Sequence, residues 1–277
     1  MPLIDVWNAA TIDDELAAHL CGAEELIRNY LTTSRRQYLE REASDRTQPY
    51  PINPYGSDYV AFPDGLVPWM EARSIRAWHY TRMTDAEADA LVHDGVHLSD
   101  LAAIRRRLDA QVAVGAFSAD IAEALFAGSP FRSDQFDARS NKFWMVSHPR
   151  DIDDGGVELL LGSWGGEAVY FWQSDPADLQ TLLKRIGRPR VIELAVPLAA
   201  TNHAYCAGKA VVSTYARSLG CHDDSGAFDL YARQALGPEA ILKIHSEGDP
   251  TFAAIAWRYP AGFIDPALEM ADIGENE

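Results

Sequence analysis

Apolar residues recur at three- and four-residue spacings from Ile12 to about Ser44. Leu16, Leu20, Leu26, Ile27, Leu31 and Tyr38 form the stripe, which predicts one long helix or two shorter ones. Thr11 or Asp13 offers an N-cap ahead of an acidic first turn. Residues 47–69 break the pattern with five prolines and three tyrosines. Proline has no N–H and clashes with the preceding helical turn, so this stretch is expected to be non-helical. Its aromatic content predicts an arm packed against the rest of the chain, since flexible linkers lack such side chains.

From residue 75 the pattern turns to short apolar strands alternating with helices. SIRAWHYT (74–81) reads as a strand, and Thr84 with Glu87 three residues on forms a capping box for a helix to His93 that Gly95 stops. VHL (96–98) reads as short and extended. Helices are expected over 100–112 and 118–127, then a polar loop to Asn141. KFWMVSH (142–148) reads as a strand, GVELLLGSW (156–164) as a short helix and EAVYFW (167–172) as a strand. Asp175 caps a helix reaching Ile186. PRVIELAVPL (189–198) is the strongest strand, rich in β-branched and apolar residues. Helices over 207–219 and 227–235 lead to an expected hairpin, with strands 239–245 and 251–257 joined through Glu247 to Pro250. These elements predict an α+β chain: a helical extension and Pro/Tyr-rich arm over 1–70, then one mixed domain over 71–277.

Composition narrows the functions. The 277 residues hold 24 Lys plus Arg against 41 Asp plus Glu, a formal net charge of −17. That balance argues against coating duplex nucleic acid or an anionic membrane, where affinity comes from neutralising phosphates. Any phosphate chemistry must sit in a local basic pocket. The 47% hydrophobic fraction predicts a packed core. Cys21, Cys206 and Cys221 are odd in number and form no CxxC pair, which predicts reduced thiols and no disulfide framework. The N-terminus does not read as a signal peptide, and no apolar run approaches the ~20 residues of a membrane span. A cytoplasmic protein without membrane association is expected.

The GxGxxG, GxxxxGK[ST], HExxH and GxSxG signatures are absent. His93 and His97 have the four-residue spacing of two metal ligands on one helix face, but Gly95 between them marks a helix end. His222, Asp223 and Asp224 beside Cys221 read as a solvated turn. No metal site is predicted.

Three segments remain that can carry chemistry: AWHYTRM (77–83), where polar His79 interrupts a core strand; GGEAVYFW (165–172), a double glycine before a strand with Tyr170; and LGPEAILKI (236–244), where Glu239 opens an apolar run. Taken in order, they resemble the ADP-ribosyltransferase superfamily. WHYTRMTDAEADALVHDGVHLSD looks like the opening strand and helix of that fold. GGEAVYF looks like the Gly-x-Gly-Ile-Tyr-Phe strand of the polymerase-like His-Tyr-Glu branch, and GPEAILKI like its closing strand. The resemblance covers about residues 75–258. It implies a split mixed or antiparallel sheet as the catalytic core, with NAD as the substrate.

What the resemblance implies for residues follows from the reaction. Breaking the glycosidic bond to nicotinamide develops positive charge on the ribose, which a nearby carboxylate stabilises while orienting the nucleophile. Glu239 is the expected carboxylate. His79 is expected to hydrogen-bond a ribose hydroxyl, Thr81 to help seat the dinucleotide, and Tyr80 or Tyr170 to flank nicotinamide. Arg82 is expected to meet the pyrophosphate. Gly237 stands two before Glu239, so the Glu-x-Glu or Gln-x-Glu pair of the arginine-modifying branch is missing, which disfavours an arginine acceptor. The stretch WQSDPADLQTLLKRIG lacks the further tyrosine of the polymerase-like branch, which argues against chain elongation. The expected activity is mono-ADP-ribosyl transfer to a protein or nucleic-acid acceptor, in the manner of a toxin or defence effector similar to nucleic-acid-modifying members, with an antitoxin or basic protein as a further partner. The alternatives are an NAD glycohydrolase on the same fold and a non-catalytic acidic interaction or neutraliser protein.

Overall fold

The computed structural model describes residues 2–43, 49–133, 135–169, 177–223, 226–256 and 259. Along the chain come β1 (Leu3–Ile4), α1 (Asp14–Gly22), α2 (Glu24–Glu42), α3 (Gly56–Glu71), β2 (Ser74–Met83) and α4 (Asp85–Asp94). Then follow α5 (Leu101–Ala113), α6 (Ala119–Ala127), α7 (Phe136–Arg139), β3 (Phe143–Val146), α8 (Glu158–Gly162) and α9 (Ala177–Arg185). β4 (Arg188–Pro197), α10 (Ala204–Ser218), β5 (Asp229–Ala232), β6 (Ile241–Ser246) and α11 (Pro250–Ala253) complete the set. The fold is α+β, with antiparallel strand pairing and several helices. No helix among the described residues is long and apolar enough to cross a membrane.

The chain divides into two compact units. The first contains Met1–Arg76 and Pro197–Phe228, and the second Ala77–Val196 and Asp229–Tyr259. The helical N-terminal segment therefore shares its unit with α10, a segment the sequence reading assigned to the 71–277 domain.

In the first unit, α1 begins where Asp13 caps it by accepting the Leu16 N–H. Arg73 then ties this cap down. Its Nε and Nη2 donate to the two Asp13 carboxylate oxygens at 2.6 and 2.7 Å, Nη2 reaches Glu15 at 3.1 Å, and Nη1 donates to the Trp69 carbonyl. The expected non-helical arm holds instead only to residue 55. From Gly56 the chain is helical through both Pro63 and Pro68. An interior proline costs roughly 3 kcal/mol, and burial of Pro63, Leu66 and Met70 against α10 outweighs it. α10 permits the close approach because it is built of small residues. A Cβ on Gly208 would stand 3.4 Å from the Leu66 Cβ and 3.6 Å from the Pro63 carbonyl oxygen.

In the second unit the strands are ordered β5-β3-β2-β4-β6. β3 is antiparallel to β2, with Trp78 opposite Val146, and β5 is antiparallel to β3, with Val146 opposite Asp229. β6 is antiparallel to β4. The two long strands β2 and β4 stand at the centre, with Ala77, Val191, Ile192, Leu194 and Val196 fully buried. One core cluster gathers Leu108, Leu125, Trp164 and Leu183, and another gathers Trp78, Tyr80, Leu161, Val191 and Phe252. Each buried side chain of this size contributes about 1.5–3 kcal/mol.

Three expectations are corrected here. Residues 229–232 form strand β5, not a helix, because Leu230 and Ala232 fill buried positions while their backbone pairs with β3. Among the described residues no hairpin follows β6: its partner is β4. Pro250 opens helix α11 after Asp249, placing Phe252 in the core. Within the expected strand 167–172, Gly166–Ala168 is a 3-10 turn and residues 170–172 lie outside the described residues. The Thr84–Glu87 capping box forms as expected, with both reciprocal hydrogen bonds.

Candidate active site

His79 lies in the middle of β2 and is half-buried. Its Nδ1 stands 2.8 Å from the Trp144 carbonyl oxygen, and its ring packs against Phe143 with centroids 4.3 Å apart. A carbonyl can only accept, so Nδ1 carries the proton and Nε2 is left with a free lone pair. Burial pushes the pKa down to about 4, with the Arg107 charge adding to the shift and the Trp144 bond opposing it. At neutral pH the ring is uncharged and presents an acceptor.

Arg107, on α5, is fixed from two sides. Its Nε donates to Glu87 Oε1 at 2.7 Å, and its guanidinium lies 5.1 Å over the Trp164 ring centroid. Glu87 Oε2 accepts from Trp164 Nε1 at 2.8 Å and from the Thr84 N–H and hydroxyl at 2.8 and 3.0 Å. Burial alone would raise the Glu87 carboxyl. The Arg107 charge and the hydrogen bonds from Thr84, Trp164 and Arg107 together hold it below the usual range. With Nε committed, no hydrogen bond or ion pair among the described residues occupies the terminal nitrogens of Arg107.

The other expected residues sit differently. The Tyr80 hydroxyl accepts from the Arg150 N–H at 2.6 Å and donates to the Arg150 carbonyl at 2.7 Å, with its ring inside the core. Burial raises its pKa. Thr81 is buried. The Arg82 guanidinium is spent on backbone carbonyls, donating to Ile186 and Gly187 at 3.0 Å and to Leu161 at 3.5 Å, and desolvation lowers its pKa. Glu239 is exposed in a 3-10 turn before β6, its carboxylate folded back over Gly237. β4 separates β6 from β2, and no hydrogen bond or ion pair among the described residues joins Glu239 to His79. Tyr170 lies outside the described residues.

Two residues escaped the sequence reading. Arg107 ends the run RRR (105–107), which reads as a solvated helix face until Glu87 and Trp164 are seen beside it. Asp229 was concealed by the expected helix over 227–235. As the first, exposed residue of β5 it stands in one row with Val146 and Trp78 across three strands, and so on the sheet face opposite His79. Among the described residues no cluster of three His, Cys, Asp or Glu side chains could hold a metal ion. Comparison with family models, with curated proteins and with solved structures finds no match to this chain.

Proposed function

We propose that the chain cleaves NAD and transfers ADP-ribose to a macromolecular acceptor, on a core similar to that of the ADP-ribosyltransferases. The observation that carries the reading is His79: an uncharged imidazole on a central strand, held by Trp144 in the tautomer that leaves Nε2 to accept from a ribose hydroxyl. Arg107 takes the role first expected of Arg82. Its Nε is pinned to Glu87, and its terminal nitrogens would meet the pyrophosphate. It supplies the local positive spot that an acidic chain needs for a phosphate-bearing substrate.

In the reaction the bond between the ribose anomeric carbon and nicotinamide breaks, and its electron pair leaves with the nicotinamide nitrogen. The acceptor nucleophile bonds to the anomeric carbon, and its proton passes to a carboxylate or to water. By the resemblance that carboxylate is Glu239.

The experiment incubates the chain with NAD carrying label in the adenylate part and follows both nicotinamide release and label transfer to protein, DNA and RNA. Nicotinamide release that falls about a hundredfold in His79→Ala and in Arg107→Ala is expected, together with a comparable loss in Glu239→Gln. Release with free ADP-ribose as the sole product identifies the glycohydrolase instead. No release with any acceptor overturns the reading.

A further inference from the structure

The first unit holds a cavity of about 570 Å³ lined by residues of α2, α3 and α10 and by the chain on either side of them. Tyrosines dominate its wall. Tyr30 and Tyr59 stack at 3.8 Å with their planes 11° apart. Tyr38, Tyr50 and Tyr205 also line it and are 46%, 48% and 37% exposed, which leaves aromatic surface open to a planar ligand.

Two cations share the wall, each one helical turn from an exposed ring. On α2, Arg35 precedes Tyr38 by three residues, its guanidinium 5.8 Å from the ring centroid. On α10, Lys209 follows Tyr205 by four, on the same face. Neither Arg35 nor Lys209 forms an ion pair or a hydrogen bond among the described residues. This is notable in a chain with 41 carboxylates against 24 cations, where nearby Arg28 and Arg36 are both paired with a glutamate one turn away. Two cations without an ion pair among the described residues, beside open aromatic faces, suit a planar anion.

We propose that this cavity binds a nucleotide, its base stacked on the tyrosine rings and its phosphate between Arg35 and Lys209. The volume falls in the range of small-molecule sites, about 300–1,000 Å³. Stacking of bases on aromatic side chains is tolerant of sequence, and a basic margin retains the phosphate. Asp223, whose carboxylate accepts from the Tyr59 hydroxyl at 3.4 Å, and His222 supply polar groups in the same wall. The inference does not depend on NAD cleavage, because every residue it uses belongs to the first unit while His79 and Arg107 belong to the second. A free nucleotide and a nucleotide within a single strand offer the same chemistry.

The test titrates the full chain with AMP, adenosine, ribose 5-phosphate and a single-stranded adenylate hexamer by calorimetry. AMP is expected to bind at least about tenfold more tightly than adenosine or ribose 5-phosphate. Arg35→Glu, Lys209→Glu and Tyr38→Ala, all at exposed positions, are each expected to weaken AMP about tenfold at an unchanged melting temperature, while His79→Ala binds as the parent does. A hexamer about tenfold tighter than AMP identifies the single strand as the source, and equal affinity identifies the free nucleotide. The proposal is overturned if neither AMP nor the hexamer binds, if the three variants bind like the parent, or if binding is lost in His79→Ala alone.

Discussion

His79 holds its Nδ1 2.8 Å from the backbone carbonyl of Trp144, so a strand-to-strand contact fixes the tautomer of the one imidazole on β2. The consequence is measurable without knowing any substrate. The ordinary histidine pKa is about 6.5, and burial pushes that of His79 down to about 4. The folded chain therefore binds fewer protons than the unfolded chain between those values. The stability contributed by the neutral ring is complete above pH 6.5 and is lost as the pH falls toward 4. Nitrogen NMR of the imidazole is expected to show the Nδ1–H tautomer at pH 7 with no protonation at pH 5.5. Melting temperature against pH should be flatter for His79→Gln than for the parent between pH 6.5 and 4. Protonation of His79 near pH 6.5 would contradict the desolvation of its ring in the folded chain.

Arg73 and Asp13 make a second prediction. The Arg73 side chain is almost wholly buried and its fork closes on both oxygens of the cap residue of α1. The hydrogen bond from Arg73 is the largest influence holding Asp13 below its usual pKa. A carboxylate with a depressed folded pKa stabilises above its unfolded value and loses that contribution as the pH falls through the folded one. Asp13→Asn should leave buried Arg73 with only the exposed Glu15 carboxylate as its anion and cost about 3 kcal/mol at pH 7 by urea unfolding. The difference from the parent should shrink toward acid pH. A cost below about 1 kcal/mol, the ordinary range of exposed pairs, would show that the pair is not coupled to the fold.

Gly208 should respond to size in opposite directions. A Cβ there meets ordinary contact distances to Leu66 and Pro63, so Gly208→Ala is expected to be neutral or to stabilise by up to about 1 kcal/mol through helix propensity. Gly208→Val forces α3 and α10 apart and should cost about 1–3 kcal/mol. Equal effects of the two substitutions in thermal unfolding would mean the helices are not in close contact at this point.

Glu87 serves Thr84, Trp164 and Arg107 at once. Glu87→Ala strands the indole N–H and the guanidinium together and should cost about 3 kcal/mol or more in urea unfolding. Glu87→Gln keeps an acceptor for Trp164 but turns an amide toward Arg107, so it should fall between parent and alanine. If Arg107 binds pyrophosphate, Glu87→Gln should also raise the NAD concentration needed for half-maximal nicotinamide release.

What was legible in the chain was local. The Thr84–Glu87 capping box, the Asp13 cap of α1 and the strands around Trp78 and Val191 depend on residues within a few positions of one another, and each forms as the pattern predicts. The pairings were not legible. Residues 229–232 carry no strand signal strong enough to compete until β3 offers its backbone, and β6 pairs with β4, about 50 residues away, instead of with its neighbour in sequence.

The site divides in the same way. His79 could be singled out because a polar residue inside an apolar strand is visible in the sequence, whereas the use of Arg82 on backbone carbonyls and the recruitment of Arg107 by Glu87 and Trp164 follow from contacts spanning 20 to 105 residues. Proline content predicted a non-helical arm over 47–69, whereas Gly56–Glu71 is helical. Only packing of Pro63, Leu66 and Met70 against the small residues of α10 supplies the burial that makes it helical. The sequence by itself thus determined caps, central strands and the acidic surplus, because these are set by near neighbours and by counting. The tertiary structure decided strand partners, which cations are paired and which stand free, and where the tyrosines gather, because each depends on burial shared between distant segments.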